Sequence, residues 1–113
     1  MIKAIGVDFD NTIAEYSGWT SADDVGDPFP NAISFLTALN QMGLEVYIFS
    51  ARALDPKGKR AIEDWVKKYA NGLVKGVTSE KLGVFDVIVD DRAIYFNGDY
   101  KEVLKEIIRR GSQ

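Results

Sequence analysis

Val7-Asp8-Phe9-Asp10-Asn11-Thr12 closes an apolar run, Ile2–Val7, and decides how the rest of the chain is interpreted. A mostly apolar run of this kind predicts a strand at the buried centre of a parallel sheet. The strand ends in two carboxylates two residues apart, and alternate residues of an extended strand face the same way. Charges at the edge of an apolar interior must be paired, metal-bound or functional, so the pattern indicates a site. A simple Asp-rich turn is the alternative.

The composition excludes several kinds of site. The 113 residues include no cysteine and no histidine, which excludes disulfides, thiolate zinc sites and Ser-His-Asp catalysis. Acid–base chemistry then falls to Asp, Glu, Lys or Tyr, and side chains could offer a metal ion only oxygen ligands, which magnesium, calcium and manganese prefer. The net charge is −3, and no basic stretch gives a clear nucleic-acid signature. The first apolar run is too short for a membrane span, so we expect one cytoplasmic domain over residues 1–113, without membrane association.

The rest of the chain alternates between strand and helix patterns. The predicted strands are 2–7, 44–49, 73–77 and 84–89, with a short extended piece at 93–97, and the predicted helices are 31–42, 56–69 and 99–110. This alternation predicts an α/β fold, a three-layer α/β/α Rossmann-like parallel sheet with right-handed crossovers. In the last helix we expect the apolar stripe to face inward; its members are Val103, Leu104, Ile107 and Ile108.

The segment between the first strand and the first helix, residues 13–29, has a different composition. Ser, Thr, Asp, Gly and Pro surround two isolated aromatic residues, Tyr16 and Trp19. Long loops in compact domains are usually functional, so we expect an ordered loop or small hairpin flap beside the first motif. Packing of the two aromatics against the core is an equal alternative.

Unusual polar residues follow three of the predicted strands: Asp8 and Asp10, then Ser50 and Arg52, then Asp90 and Asp91. The carboxyl ends of parallel strands form the ligand-binding edge of such sheets. Four carboxylates gathered there would repel one another by several kcal/mol, and a divalent cation would remove that cost. One carboxylate could then attack phosphorus while the other protonates the leaving oxygen, and Lys81 or Lys75 could balance the charge.

These residues also carry a family resemblance. Asp8-Phe9-Asp10-Asn11-Thr12 resembles the D-x-D-x-T first motif of the haloacid dehalogenase-like (HAD) phosphohydrolase superfamily. Ser50, Lys81 and the pair Asp90-Asp91 follow in the same order as the later motifs of that superfamily and span most of the chain. The form Ser50-Ala51-Arg52 and the short segment before the first helix resemble its small capless members in bacteria and phages, so we expect no cap domain.

The resemblance implies a magnesium-dependent phosphatase that hydrolyses phosphate monoesters. Asp8 would be the nucleophile that forms an aspartyl phosphate, Asp10 the general acid/base, and Lys81 the group that steadies the phosphoryl oxygens. The implied substrate-binding residues are Thr12, Ser50, Ala51 and Arg52, and the implied Mg²⁺ ligands are Asp8, the backbone carbonyl of Asp10, Asp90 and Asp91. The substrate would be a phosphorylated small molecule or a larger phosphate ester, and the sequence leaves open whether the protein is a homo-oligomer.

Several alternatives stay open from the sequence. The chain could be a catalytically silent HAD-like module that binds metal or phosphate, or has a regulatory role. It could also be a phosphate-receiver-like domain that is phosphorylated without hydrolysis, although the D-x-D-x-T spacing argues against this. Arg52 could hold substrate phosphate, or it could instead pair with Asp55 or Glu80.

Overall fold

The protein folds as a four-stranded, all-parallel sheet flanked by helices, the predicted Rossmann-like three-layer α/β/α architecture. The structure, a computed structural model, describes residues 1–112. The strands are β1 (Ala4–Asp8), β2 (Glu45–Phe49), β3 (Gly76–Thr78) and β4 (Val87–Val89), and the helices are α1 (Ala32–Gln41), α2 (Pro56–Tyr69) and α3 (Tyr100–Gly111). The strand order is β3-β2-β1-β4. Within the described residues, no helix is long and apolar enough to cross a membrane.

The sheet register aligns the carboxyl ends of its central strands. β1 pairs with both β2 and β4, so that Asp8 lies opposite Phe49 and Val7 lies opposite Val89. Chain segments that leave these three strands therefore begin at the same edge of the sheet. The next residue after β2 is Ser50, and a 3-10 turn, Ala51–Leu54, leads from there into α2.

One face of the sheet carries the main core. Ile5 and Val7 of β1 are buried together with Leu36 of α1 and with Ile62 and Trp65 of α2. Each fully buried side chain of this size contributes roughly 1.5–3 kcal/mol to the free energy of unfolding. The core therefore fixes β1 against two helices, and the segment that follows β1 starts from a rigid strand.

The opposite face is covered mainly by one ring from the β3–β4 connection. Phe85 lies over Gly6, where a Cβ atom would come within 2.3 Å of the ring, so the strand needs glycine at this position. The Phe85 ring also packs beside Tyr47 and Phe49, at centroid distances of 5.5 and 6.3 Å. This aromatic group packs over the middle of β1 on the side away from α1 and α2.

The predicted inward stripe of α3 is wrong for this structure. Leu104, Ile107 and Ile108 are all more than half exposed, Val103 is partly buried, and no residue of α3 is fully buried. An amphipathic pattern predicts a helix but does not specify the element on which its apolar face packs. In this structure the last turn of α3 makes polar contacts with the segment after β4, where the Arg110 guanidinium donates to the carbonyls of Arg92 and Ala93.

Strand bounds differ from the predictions chiefly at the sheet edges. β1 begins at Ala4 and not Ile2, β3 lies at 76–78 and not 73–77, and β4 begins only at Val87. No strand forms at 93–97. Edge strands depend on pairing with a neighbour, which the local pattern of apolar residues does not encode.

The segment between β1 and α1 is an ordered flap, as expected, and is pinned at its base. Ala14 forms isolated bridges with Asp10 and with Pro28, and the indole nitrogen of Trp65 donates to the carbonyl of Gly26 at 3.0 Å. A Cβ atom at Gly26 would lie 2.0 Å from the Glu15 carbonyl oxygen. The flap contains no helix or strand element of its own, and the described chain has no folded cap here or between β2 and α2.

Replacement of Gly58 by alanine is expected to destabilise the protein, although alanine normally stabilises a helix by up to about 1 kcal/mol relative to glycine. In α2 a Cβ atom at Gly58 would lie 2.1 Å from the Arg52 carbonyl oxygen and 3.1 Å from the Ala22 Cβ atom. Because the nearest atom belongs to the backbone, we expect Gly58→Ala to lower the free energy of unfolding by about 1–3 kcal/mol.

Urea denaturation checks this result, with Gly83→Ala as the control, since a Cβ atom there meets open space. A Gly58→Ala protein as stable as the control would contradict the close approach of α2 to the turn after β2.

Candidate active site

Three carboxylates meet at the carboxyl edge of the sheet. Asp8 at the end of β1 and the pair Asp90 and Asp91 after β4 each offer an oxygen, and these oxygens lie within 4.8 Å of one another. The parallel pairing of β1 with β4 produces this proximity, because it brings the two strand ends side by side. The structure therefore brings together three of the predicted metal-ligating side chains.

Asp8 is half-buried and sits in an environment that disfavours its charged form. Burial, a hydrogen bond with Asp91 and the negative charge of Asp90 together raise its pKa from 3.8 to about 7. The backbone of Phe9 and the hydroxyl of Thr12, whose Oγ1 donates to Asp8 Oδ2 at 3.2 Å, act in the opposite direction but do not outweigh these effects. Without a cation, the cluster is under electrostatic repulsion that a proton on Asp8 relieves.

Asp90 and Asp91, the two carboxylates that follow β4, are each held by neighbouring groups. Burial acts to raise the pKa of Asp90, but the backbone N–H of Arg92 and the ammonium of Lys81 outweigh it, and the net effect holds this pKa below its usual range. The Lys81 Nζ lies 3.6 Å from Asp90 Oδ2. Asn11 Nδ2 donates to Asp91 Oδ2 at 3.1 Å. Asp90 and Asp91 are thereby each oriented by a different partner.

Asp10 does not join this cluster, because its side chain pairs with Arg52. The Nε of Arg52 donates to both carboxylate oxygens of Asp10, at 3.1 and 2.8 Å. Its Nη1 donates to the carbonyls of Ser21 and Ala22 in the flap, at 2.7 and 3.1 Å. Arg52 is only 2% exposed. It pairs with neither Asp55 nor Glu80 in the described part of the chain.

Trp19 of the flap packs against the ion pair of Arg52 and Asp10. The guanidinium carbon of Arg52 lies 4.7 Å from the centroid of the Trp19 ring, a cation–π arrangement. The flap and the strand ends together form a cavity of about 440 Å³. The lining residues are Asp8, Asp10, Asn11, Tyr16, Trp19, Ser50, Ala51, Arg52, Asp91 and Arg92.

The predicted phosphate-binding residues lie at this cavity or beside it. Ser50 is buried, and its Oγ accepts from the backbone N–H of Arg52 at 3.1 Å, which leaves the hydroxyl proton to donate elsewhere. Ala51 is exposed at the rim, and Thr12 contacts the Asp8 carboxylate. Arg52 lines the cavity, but with three of its hydrogen atoms already donated to Asp10 and the flap.

The two candidate lysines lie at opposite ends of the sheet. Lys75 pairs with Glu45, the first residue of β2, at 2.9 Å, and so lies at the amino edge. Lys81 lies beside Asp90, with its ammonium 5.6 Å from the centroid of the Phe49 ring. Only Lys81 is near the acidic cluster.

The donor set of the cluster fits a hard divalent cation such as Mg²⁺. All three side chains offer carboxylate oxygens, the ligands that magnesium prefers, and the described residues bring no imidazole or thiolate to the cluster. Because three carboxylate oxygens lie within 4.8 Å of one another, a positive charge among them would stabilise their ionised forms.

Two residues of the site were not predicted to be functional, Asn11 and Arg92. Asn11 has a φ of 60°, in the left-handed region that Asn tolerates, and this places its amide on Asp91. An Asn after the D-x-D pair is the signal that could have indicated this turn. Arg92 lines the cavity, and its backbone N–H donates to Asp90. Its position in the sequence directly after Asp90-Asp91 could have indicated that it belongs to the site.

Comparison with known proteins adds support for the fold. A solved structure described as that of a conserved protein coded by a locus from Bacteroides thetaiotaomicron is similar, with a TM-score of 0.63 and 23% identity. The match covers 97% of this chain and 93% of that chain. At this identity the similarity shows the fold alone. No protein-family model matches the chain, and no curated protein matches it.

The stability of the metal-free protein is expected to fall as the pH rises from about 4 to about 7 because of Asp8. Its pKa is raised on folding, so the native state binds more protons than the unfolded state in this window and loses that advantage as the pH passes about 7. Asp8→Asn removes the titrating group and is expected to reduce the pH dependence of the melting temperature measured in EDTA.

Asp64→Asn is the matched control, because Asp64 is exposed on α2. It should keep the wild-type pH dependence. An Asp8→Asn protein with that same dependence would contradict the raised pKa of Asp8 in its half-buried environment.

Loss of the Arg52 guanidinium is expected to destabilise the protein and loosen the flap. Arg52→Met leaves Asp10 and two flap carbonyls without their donor, so we expect a loss of about 2–4 kcal/mol of unfolding free energy and faster proteolysis within residues 16–28. Arg60→Met, at an exposed position of α2, should change stability by less than about 0.5 kcal/mol. Equal stability of the two variants would contradict the proposed anchoring.

Proposed function

We propose that the protein is a phosphatase, a magnesium-dependent phosphomonoester hydrolase of the capless HAD-like type. The observation that carries this proposal is the carboxylate arrangement at the end of β1. Asp8 lies in a cluster with Asp90 and Asp91, while Asp10, two residues on, faces the same cavity but stays outside the cluster. One carboxylate is thus available for attack and another for proton transfer, which is the division of roles that the chemistry requires.

In the first step, an oxygen of Asp8 attacks the phosphorus of the substrate. A bond forms between this oxygen and phosphorus, giving an aspartyl phosphate, while the bond from phosphorus to the leaving oxygen breaks. A protonated Asp10 gives its proton to the leaving oxygen, which departs as an alcohol. For this step, Asp10 exchanges its contact with Arg52 for one with the leaving oxygen.

In the second step, water attacks the phosphorus of the aspartyl phosphate. Asp10, now a carboxylate, takes a proton from that water, and the bond between phosphorus and the Asp8 oxygen breaks to release inorganic phosphate. After this proton has been passed on, the Asp10 carboxylate can return to its contact with Arg52 Nε at the cavity wall. Ser50 Oγ and the ammonium of Lys81 would donate to the phosphoryl oxygens.

The metal would be held by Asp8, the backbone carbonyl of Asp10, Asp90 and Asp91. When bound, a magnesium ion would supply positive charge that neutralises the phosphoryl oxygens and the carboxylate cluster. Phosphate monoesters are made inside cells, so a cytoplasmic location is part of the proposal. With no folded cap over the described site, both small and larger phosphate esters could reach the cavity.

The second candidate is a catalytically silent HAD-like module that binds metal or phosphate. The contact between Arg52 and Asp10 favours it, because a carboxylate held permanently in this contact could not donate a proton to a leaving group.

The proposal is tested by phosphate release from an aryl phosphate and from a panel of biological phosphate monoesters. We expect turnover with magnesium, none in EDTA, and a loss of at least about 10³-fold in kcat for Asp8→Asn, because the nucleophile is removed. Asp64→Asn makes the same chemical change at an exposed position and should keep full activity.

Turnover that persists in EDTA or in Asp8→Asn would overturn the mechanism. Failure of the whole panel, together with a melting temperature that rises with magnesium, would favour the silent binding module. Failure with no effect of magnesium on the melting temperature would overturn both the enzyme and the metal site.

A further inference from the structure

The flap presents two aromatic rings to the same cavity as the carboxylates. Tyr16 is 42% exposed and Trp19 is 58% exposed, and both line the cavity together with Asp8 and Asp10. The other tryptophan of the chain, Trp65, is 4% exposed and packs in the core. Tyr16 and Trp19 are therefore held at the rim of a polar site, in contrast to the buried Trp65.

Arg52 fixes where the Trp19 ring lies relative to the proposed general acid. One side of its guanidinium contacts Asp10, with Nε 2.8 Å from Oδ2, and its carbon lies 4.7 Å from the centroid of the Trp19 ring. Two flap carbonyls bind the same guanidinium, so the segment that carries Trp19 is tethered. A single guanidinium thus separates the Trp19 ring from the Asp10 carboxylate.

This proximity bears on the leaving group, because Asp10 protonates the leaving oxygen in the proposed mechanism. The leaving group must therefore lie on the Asp10 side of the cavity, next to the Arg52–Trp19 stack. Arg52 occupies one face of the indole, which leaves the rest of the exposed ring for contact with a ligand. Flat aromatic rings are the groups that stack most favourably on such a surface.

We infer that the leaving group carries a flat aromatic ring system that stacks on Trp19, with Tyr16 beside it, and that the substrate is a nucleoside monophosphate. This inference rests on the proposed function, because it takes the position of the leaving group from the role of Asp10. A cavity of about 440 Å³ lies within the usual range for small-molecule sites, roughly 300–1,000 Å³. Trp19 and Tyr16 are then specificity-determining residues.

The charge of the flap favours a mononucleotide over the end of a polynucleotide. Asp23, Asp24 and Asp27 lie in the flap, and Glu15 lies at its base. A nucleic-acid strand that continued along the flap would bring further phosphates toward these carboxylates, which would repel them. A single phosphate, placed at the strand ends, avoids this repulsion.

The test compares adenosine monophosphate with ribose phosphate, which has the same phosphorylated sugar without the base. We expect the ratio of their kcat/KM values to favour the nucleotide by about 10-fold or more, since stacking of one base contributes roughly 1–3 kcal/mol. Trp19→Ala should bring this ratio close to one, and Trp19→Phe, which keeps a ring, should retain most of it. Tyr95→Ala removes an exposed aromatic that does not line the cavity and should leave the ratio unchanged.

A second arm measures binding without turnover, using Asp8→Asn protein and the same two ligands. We expect a lower dissociation constant for the nucleotide than for ribose phosphate, and we expect this difference to disappear in the Asp8→Asn, Trp19→Ala double variant. This result would support stacking even if no phosphate is released. The binding measurement therefore tests the inference separately from the catalytic proposal. Equal binding and equal kcat/KM for the two ligands would overturn stacking and leave the hydrolase standing. A higher kcat/KM for a phosphorylated oligonucleotide than for the mononucleotide would overturn the assignment to mononucleotides.

Discussion

The arrangement of the site depends on the buried guanidinium of Arg52. A buried charge is tolerated only when its hydrogen-bonding groups find partners, and Arg52 satisfies this with Asp10 and with the carbonyls of Ser21 and Ala22. The contact joins three parts of the chain that are distant in sequence: the segment after β1, the turn after β2 and the flap. The same contact orients one carboxylate and places Trp19 over the cavity. The positions of Asp10 and Trp19 at the cavity therefore depend on the same contact that keeps the flap ordered.

Much of the fold could be predicted from local patterns of apolar residues. β1, α1 and α2 lie close to their predicted bounds because each buries one continuous face in a single core. The edge strands could not be placed as well, since β3 and β4 contain three residues each and form only through pairing with a neighbour. For α3 the amphipathic pattern predicted the helix correctly but not its partner.

The acidic cluster could be anticipated because parallel strands end at a common edge, which places Asp8 beside Asp90 and Asp91 whatever the details of the loops. The partner of Arg52 could not be anticipated. Asp10 lies 42 positions away in the sequence, and Asp55 and Glu80 were equally reasonable partners on charge alone. Only the path of the flap, which brings two carbonyls to the same guanidinium, selects Asp10. The role of Trp19 depends on that same path.

The ring of Phe85 over Gly6 has a consequence for the electrostatics of the site. Phe85 packs beside Phe49, and the ammonium of Lys81, four residues earlier on the same connection, lies over the Phe49 ring and beside Asp90. The contact between Gly6 and Phe85 therefore helps to position the connection that carries this positive charge beside the carboxylates. A larger residue at position 6 would have to displace the Phe85 ring, so the glycine of the central strand contributes to the placement of a charge that it does not contact.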